Sequence, residues 1–496
     1  MNQPKQLLTH VGEAFTTLFL SPERQKSVWL YRLWLAFLFL SGIAAWGYFF
    51  SWGNFSVNFH DWASITAPRF EFLKNAASTW QLPLTISDMS TLNYITDRYL
   101  AVPDSFISPQ FILLRWMNVQ VFSLVNLLIF YTAGFWGLLK IKKRFQLSPV
   151  AFTLLFYLFN FNGHIVAHTS AGHATWSGYF LFPLFALLIF DLLSGDRTWR
   201  WVTKISVLLF VMFINGSFHQ FVWCILFLCL TAVLIPATFW QNFRGALFAC
   251  LASLLKILPP VLMYGQFDNR FISGYPTLWS LWDALVTVHV PGDLTINEGM
   301  TSAIGMWELT LFVGLGGALF LIGFGLVHWL RSKDSPIDRR LVLPLAAMTF
   351  LTIGLIYSYF RELHLPLFDG ERVSTRMISL VFVFVLILAT IQFQQWLNRK
   401  TQPGWLYGLI GIGTVLTVHD LWQNFKIWSI NQAAALYTEK IFNSQQWFVN
   451  NNYNDRGYLL FIAAGVLGSI GTFVLLAYLT RRERKTAELI NASSLE

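Results

Sequence analysis

Long apolar runs separated by shorter polar stretches dominate this chain, and the length of those runs decides the fold. A helix crossing a bilayer needs roughly 20 mostly apolar residues, because hydrocarbon offers no water to backbone N–H and C=O groups and a helix satisfies them internally. About twelve such runs can be marked, at 33–50, 117–139, 149–161, 176–193, 205–218, 221–239, 246–264, 309–330, 341–359, 377–396, 405–418 and 458–479. The third, fifth and eleventh are short for a span. The pattern predicts an all-α polytopic membrane protein of about 12 transmembrane helices.

The polar stretches alternate in character. Of 34 Lys and Arg, 22 fall in the N-terminal segment, alternate short loops and the C-terminal tail, including Lys140 to Arg144 and Arg481 to Lys485. Of 25 Asp and Glu, 16 fall in the longer intervening loops. Basic residues near span ends prefer the cytoplasm, so both termini are expected inside and the long loops outside. The expected organisation is a cytoplasmic interfacial segment at 1–27, a transmembrane domain at 28–480 and a cytoplasmic basic tail at 481–496. Large outer loops at 51–116, 265–308, 360–376 and 419–457 would form an extracytoplasmic layer.

Composition agrees, with 55% hydrophobic and 12% charged residues and a mean hydropathy of +0.53. The net charge of +9 is an orientation signal at the membrane surface and implies no nucleic acid. Cys224, Cys229 and Cys250 lie in apolar runs, where a thiol behaves as a small buried hydrophobe. The membrane in question is the cytoplasmic membrane, crossed many times.

Four constellations carry chemistry. Asp61, after His60, stands just beyond the first span in a loop that also holds Arg69 and Glu71; a carboxylate there can act as a base, or simply pair with Arg69. His164, His168 and His173 gather at the end of the third span, and His at i and i+4 share a helix face. Hydrogen-bonding histidines are the simpler reading, with zinc the alternative, since a closed metal site demands a full ligand set. Lys256 sits within the seventh run before Pro259-Pro260. A charge at bilayer depth costs on the order of 3 kcal/mol and calls for a cavity, a partner or a ligand. Arg372 and Arg376 enter the tenth span from the outer side, against the basic-inside trend, and suit phosphate as well as a structural pair with Glu371 or Glu362. Arg270 is a weaker anion candidate of the same kind.

Asn162-Gly163-His164 is echoed by Asn215-Gly216 and His219. Two ordinary helix C-caps explain the echo; the alternative is that both helices stop early to place His164 and His219 around one cavity.

A long first outer loop with an early acid, many spans, and basic groups at the outer ends of later spans resemble the GT-C superfamily of integral membrane glycosyltransferases. Within it, Leu147-Ser148-Pro149 through Asn162-Gly163-His164, His173, Phe182-Pro183-Leu184, Phe218-His219-Gln220 and the Arg372 to Arg376 entry are similar to YfhO-like bacterial membrane proteins. The resemblance implies transfer of a sugar from a polyprenyl-phosphate-linked donor to a glycan, lipid or protein acceptor outside the cytoplasm. Asp61 would be the general base, and Lys256, Arg372, Arg376 and Arg270 would hold the donor phosphate. His60, Glu71, His164, His168, His173 and His219 would line the cavity. No cofactor is assigned: the loop lacks an Asp-x-Asp pair, so a divalent metal would have to be held by Asp61 with the histidines. The rival expectation is a multi-span transporter or a lipid or glycan flippase, against which stands the lack of a half-to-half repeat.

Overall fold

The computed structural model describes residues 16–22, 28–87, 96–262, 273–295, 304–332, 335–365, 371–399, 402–440, 448–451 and 454–493. The chain enters through α1 (Val28–Phe49). A short π-helical turn, Trp62–Thr66, then leads into α2 (Ala67–Thr79). The Asn118 side chain accepts from Val121 N at 2.8 Å and starts α3 (Val119–Phe145), whose last turn carries Lys142, Lys143 and Arg144 where the helix dipole favours cations. Ser148 and Pro149 start α4 (Pro149–Phe161). Asn162 both ends α4 and caps α5 (Gly163–Ala171), so one apolar run kinks at a capping residue.

A 3-10 stretch, Ala174–Leu181, precedes α6 (Phe182–Leu193), and α7 (Trp199–Ile214) follows. Next come α8 (Phe218–Leu234) and α9 (Phe239–Ala252), set at 120° across Pro236, and the short α10 (Leu254–Val261). α11 (Leu278–Val286) precedes an antiparallel pair, β1 (Leu294–Thr295) and β2 (Ile304–Gly305). α12 (Gly314–Phe320) runs on as a π-helical stretch, Leu321–His328. α13 (Val342–Leu351) and α14 (Gly354–Arg361) are broken at Thr352-Ile353. α15 (Ile378–Arg399), α16 (Gly404–Ile427), α17 (Ile430–Leu436) and α18 (Arg456–Ser493) complete the chain.

Among the described residues helices fall within all twelve expected runs, but by length and composition seven are able to cross a membrane, or eight if the bent α8–α9 pair is one span, in place of the expected twelve. Those falling short are α7, the broken α13–α14 pair and α16. The enclosed centre is α15, with 94% of its apolar window buried, while α18 at 22% and α1 at 28% present their apolar sides outward. Helices apolar on every face belong either inside a bundle or against lipid.

The first long loop is itself folded. Phe70, Phe72, Leu73, Tyr99, Phe106, Phe122 and Tyr458 make a second apolar core beneath it, each large side chain contributing about 2 kcal/mol on burial. The later loops are stitched together by parallel bridges, Ser273 to Val373 and Tyr275 to Ile353. Tyr275 Oη also donates to Leu309 O at 2.7 Å. Those links bring residues 304–313 against the entry to α15.

The two Asn-Gly pairs differ. Gly216 takes φ +79° and ends α7 as a left-handed cap. Gly163 is not left-handed; a Cβ there would lie 2.5 Å from Phe312 N, so its requirement is close approach.

Candidate functional site

The π-helical turn after α1 positions Asp61. His60 is held at φ +40°, a conformation that costs an L residue about 1 kcal/mol or more. The end of α5 compensates: His60 Nδ1 meets Ala171 O at 2.9 Å, Trp62 Nε1 donates to Ser170 O at 3.1 Å, and the Thr66 hydroxyl donates to Gly172 O. Gly172 is required twice over, by φ +102° and because a Cβ would lie 2.4 Å from Trp62 N and 2.7 Å from Asp61 C.

Beyond Gly172 the chain delivers His173, whose Nε2 lies 2.9 Å from Asp61 Oδ2. His173 Nδ1 in turn meets His168 Nδ1 at 2.8 Å. The Ser64 hydroxyl lies 3.2 Å from Asp61 Oδ1. Asp61 therefore pairs with His173, and Arg69 is taken by Asp104 at 2.8 Å, which corrects the Asp61–Arg69 alternative. Burial alone would raise the Asp61 carboxyl. The hydrogen bond from His173, with His60 and Lys440 nearby, outweighs it and holds Asp61 below the usual carboxylate range.

A second network approaches from the other side of the fold. Arg376 Nε donates to Glu308 Oε2 at 2.7 Å and its Nη2 donates to Glu308 Oε1, a two-pronged grip on a buried carboxylate. Thr375 Oγ1 donates to Glu308 O at 2.6 Å, fixing the same residue through its backbone. Arg376 Nη1 reaches His219 Nε2 at 3.4 Å, and its guanidinium lies 5.1 Å from the Trp176 ring centre. His219 Nδ1 and Trp223 Nε1 both donate to Glu371 Oε2 at 2.8 Å. Burial would raise Glu308 and Glu371, but Arg376 outweighs it at Glu308, and His219 with Arg376 outweighs it at Glu371, so both are lowered.

The networks meet at a cavity of about 380 Å³ lined by His60, Asp61, His173, Trp307, Glu308, Arg372 and Arg376, with β1 and β2 residues along one side. Arg372 is exposed there, and no described carboxylate pairs with it. His60 sits edge-on to Trp307 at 4.4 Å and beside Tyr437 at 4.7 Å, giving the cavity an aromatic wall. Such a space carries the Asp61 carboxylate, the Glu308–Arg376 pair, the Arg372 guanidinium, which has no carboxylate partner among the described residues, and an aromatic surface. That set can accept a proton, hold an anion and pack against a sugar ring.

Other sequence candidates lie elsewhere. Lys256 is buried with Nζ donating to Ser105 O at 2.7 Å and to the Ser105 hydroxyl, 5.6 Å from the Phe213 ring centre. Lys256 thus ties the first loop to the short α10, which lies outside the candidate spans because the seventh apolar run breaks at Ser253. This corrects its expected mid-span place, and it does not line the cavity. Glu71 stands 3.9 Å from Lys74 on α2, also away from it. His164, which accepts from Trp176 Nε1 at 3.1 Å, and His168 and His219 stand behind the cavity lining. Arg270 lies outside the described residues. Among the described residues no group of three or more His, Cys, Asp or Glu is arranged to hold a metal ion.

Glu308, Trp176 and Trp307 are not marked as site residues by the sequence, and Glu371, offered there as a pair for Arg372 or Arg376, is instead bonded to His219 while Arg376 takes Glu308. The buried acids carried only a weak signal, as outer-loop carboxylates among many.

No protein-family model matches the chain, and no curated protein does. Among solved structures it is similar to the single-particle cryo-EM structure of the arabinofuranosyltransferase AftD from mycobacteria, at 15% identity and a TM-score of 0.47, over 81% of this chain. The match spans 27% of that protein's chain, about a quarter of its length. Function is therefore argued from the residues of the site itself.

Proposed function

We propose that this chain is a membrane glycosyltransferase that moves a sugar from a polyprenyl-phosphate-linked donor to a hydroxyl acceptor on the extracytoplasmic side. The observation that carries the reading is the single cavity that Asp61 shares with Arg372 and Arg376. Asp61, held as the anion, takes the proton of the acceptor hydroxyl while the hydroxyl oxygen attacks the anomeric carbon. The bond from that carbon to the phosphate oxygen breaks, and its electron pair leaves on the lipid phosphate. Arg372, exposed and without a carboxylate partner among the described residues, is the direct phosphate contact. Arg376 is already gripped by Glu308 and contributes potential and shape. The basic residues of alternate loops favour a cytoplasmic side opposite this cavity, in the cytoplasmic membrane.

The test is whether purified protein in lipid consumes a polyprenyl-phosphate sugar, and whether Asp61→Asn slows turnover by about 10²- to 10⁴-fold, the usual worth of a positioned base. The variant should still fold cooperatively, with a modest fall in its unfolding midpoint, because the ionised carboxylate that His173 stabilises is lost while Asn keeps an acceptor for it. Unchanged turnover in Asp61→Asn would remove Asp61 from the chemistry.

A further inference from the structure

The histidines behind Asp61 are arranged in a way that the base alone does not require. His168 and His173 meet through like atoms, Nδ1 to Nδ1, at 2.8 Å. Such a contact needs an N–H on one ring and a lone pair on the other. The other nitrogen of His173 faces Asp61 Oδ2 at 2.9 Å, and an ionised carboxylate can only accept. His173 therefore carries its proton on Nε2 and, when neutral, presents a bare Nδ1. It follows that His168 carries its proton on Nδ1.

That assignment leaves His168 Nε2 as a lone pair. The atom is buried, has no hydrogen-bond partner among the described residues, and stands 3.8 Å from Glu308 Oε2. A lone pair turned toward a carboxylate is unfavourable, so this tautomer is not the one that His168 would choose from its own surroundings. The His173 contact imposes it. The ring cannot readily escape: it stacks on Trp176 at 4.5 Å, meets His164 at 4.4 Å, and belongs to α5, every residue of which is buried.

We propose that His168 is a positioning residue for Asp61. Its Nδ1–H occupies His173 Nδ1 and pins that ring, so that Nε2–H stays on Asp61 Oδ2, leaving Oδ1, beside Ser64, to take the proton of the acceptor hydroxyl. This rests on the transferase reading for its consequence in turnover, but its tautomers are a property of the protein without substrate. The titratable and charged groups around the chain are His60 and Lys440 near Asp61, and His164, Glu308, Arg376 and His219 near His168. His168 touches no reacting atom, so only its donor matters, and Asn, whose amide nitrogen can stand near the Nδ1 position, should suffice.

Two measurements decide it. In wild-type protein labelled with ¹⁵N-histidine, with signals assigned from H168N and H173N, His168 is expected as the Nδ1–H tautomer and His173 as the Nε2–H tautomer. In turnover, H168F should lower kcat by about 10- to 100-fold with KM nearly unchanged, as loss of an orienting partner does. Its acid limb should move to higher pH, because a His173 ring no longer pinned by His168 holds the Asp61 carboxyl down less well. H168N should restore kcat and return the limb to the wild-type position. An Nε2–H tautomer at His168, a wild-type profile in H168F, or H168N falling as far as H168F would each overturn the proposal. A wild type inactive toward polyprenyl-phosphate sugars would count against the transferase reading alone, and the tautomer would still decide this one.

Discussion

Glu308→Gln removes the charge that holds Arg376 and should be the most destabilising polar substitution at the site. The pair is enclosed, with side chains 13% and 7% exposed, and Arg376 grips both carboxylate oxygens. Two unit charges about 4 Å apart attract by about 4 kcal/mol at an effective dielectric near 20. Removing one partner of a buried pair costs about 3–5 kcal/mol, because the other charge is left without compensation. Gln keeps one acceptor for the guanidinium, and Glu371 still lies within electrostatic reach of Arg376. The lower end of that range, about 3 kcal/mol, is therefore expected. Equilibrium unfolding in mixed micelles with increasing dodecyl sulfate would measure it, using Glu308→Gln, Arg376→Met and the double variant. The coupling energy from this cycle should be about 3 kcal/mol, with the double variant much less damaged than the sum of the singles. A Glu308→Gln protein within about 0.5 kcal/mol of wild type, with coupling near zero, would refute the argument that this pair organises the wall.

Arg372→Ala should raise KM for the lipid-phosphate donor about tenfold or more, the worth of a charge-assisted contact, while leaving stability untouched; an unchanged donor KM and unchanged inhibition by free polyprenyl phosphate would remove Arg372 from the phosphate site. Gly172→Ala should cost more than about 1 kcal/mol and slow turnover, since the new methyl meets the backbone of Asp61 and Trp62 at a positive φ; a wild-type unfolding midpoint and rate would contradict the close approach. Burial would raise Asp104, but Arg69 outweighs it and holds the folded carboxyl below its unfolded value of 3.8. Its stabilising contribution is therefore present above that value and lost as pH falls through the lower folded one. Asp104→Asn should flatten the acid limb of stability against pH, and superimposable limbs in the two proteins would disprove the linkage.

What could be read from the sequence was local. Asp61 was marked by its place after an apolar run, the three histidines by their spacing, and Arg372 and Arg376 by standing on the side where basic residues are scarce. What could not be read was which groups answer them. Asp61 meets His173 across 112 residues, Arg376 meets Glu308 across 68, and His219 meets Glu371 across 152. Lys256 announced that it needed a partner, yet that partner is the backbone and hydroxyl of Ser105, 151 residues away, which no pattern of side chains could have marked. Hydropathy has the same blindness to direction. It ends the third run at 161 and so misses the buried α5 that continues beyond Asn162, and it marks 221–239 and 246–264 without the 120° bend beyond Leu234.

The pairing changes the weight of the functional argument. Two guanidiniums on the outer side raised one question, and phosphate answered it for both. Glu308 now answers it for Arg376, whose charge is compensated before any ligand arrives. The anomaly that calls for an anion contracts to Arg372, the exposed member of the pair, at the lining of the cavity that contains Asp61. On the proposed reading, a phosphate seated on Arg372, which has no carboxylate partner among the described residues, beside a second cation held at fixed charge would be bound loosely enough to leave. The proposed donor, which would depart as a lipid phosphate after every turnover, would require that, whereas two unpaired arginines would bind substrate and product alike more tightly without favouring the transition state.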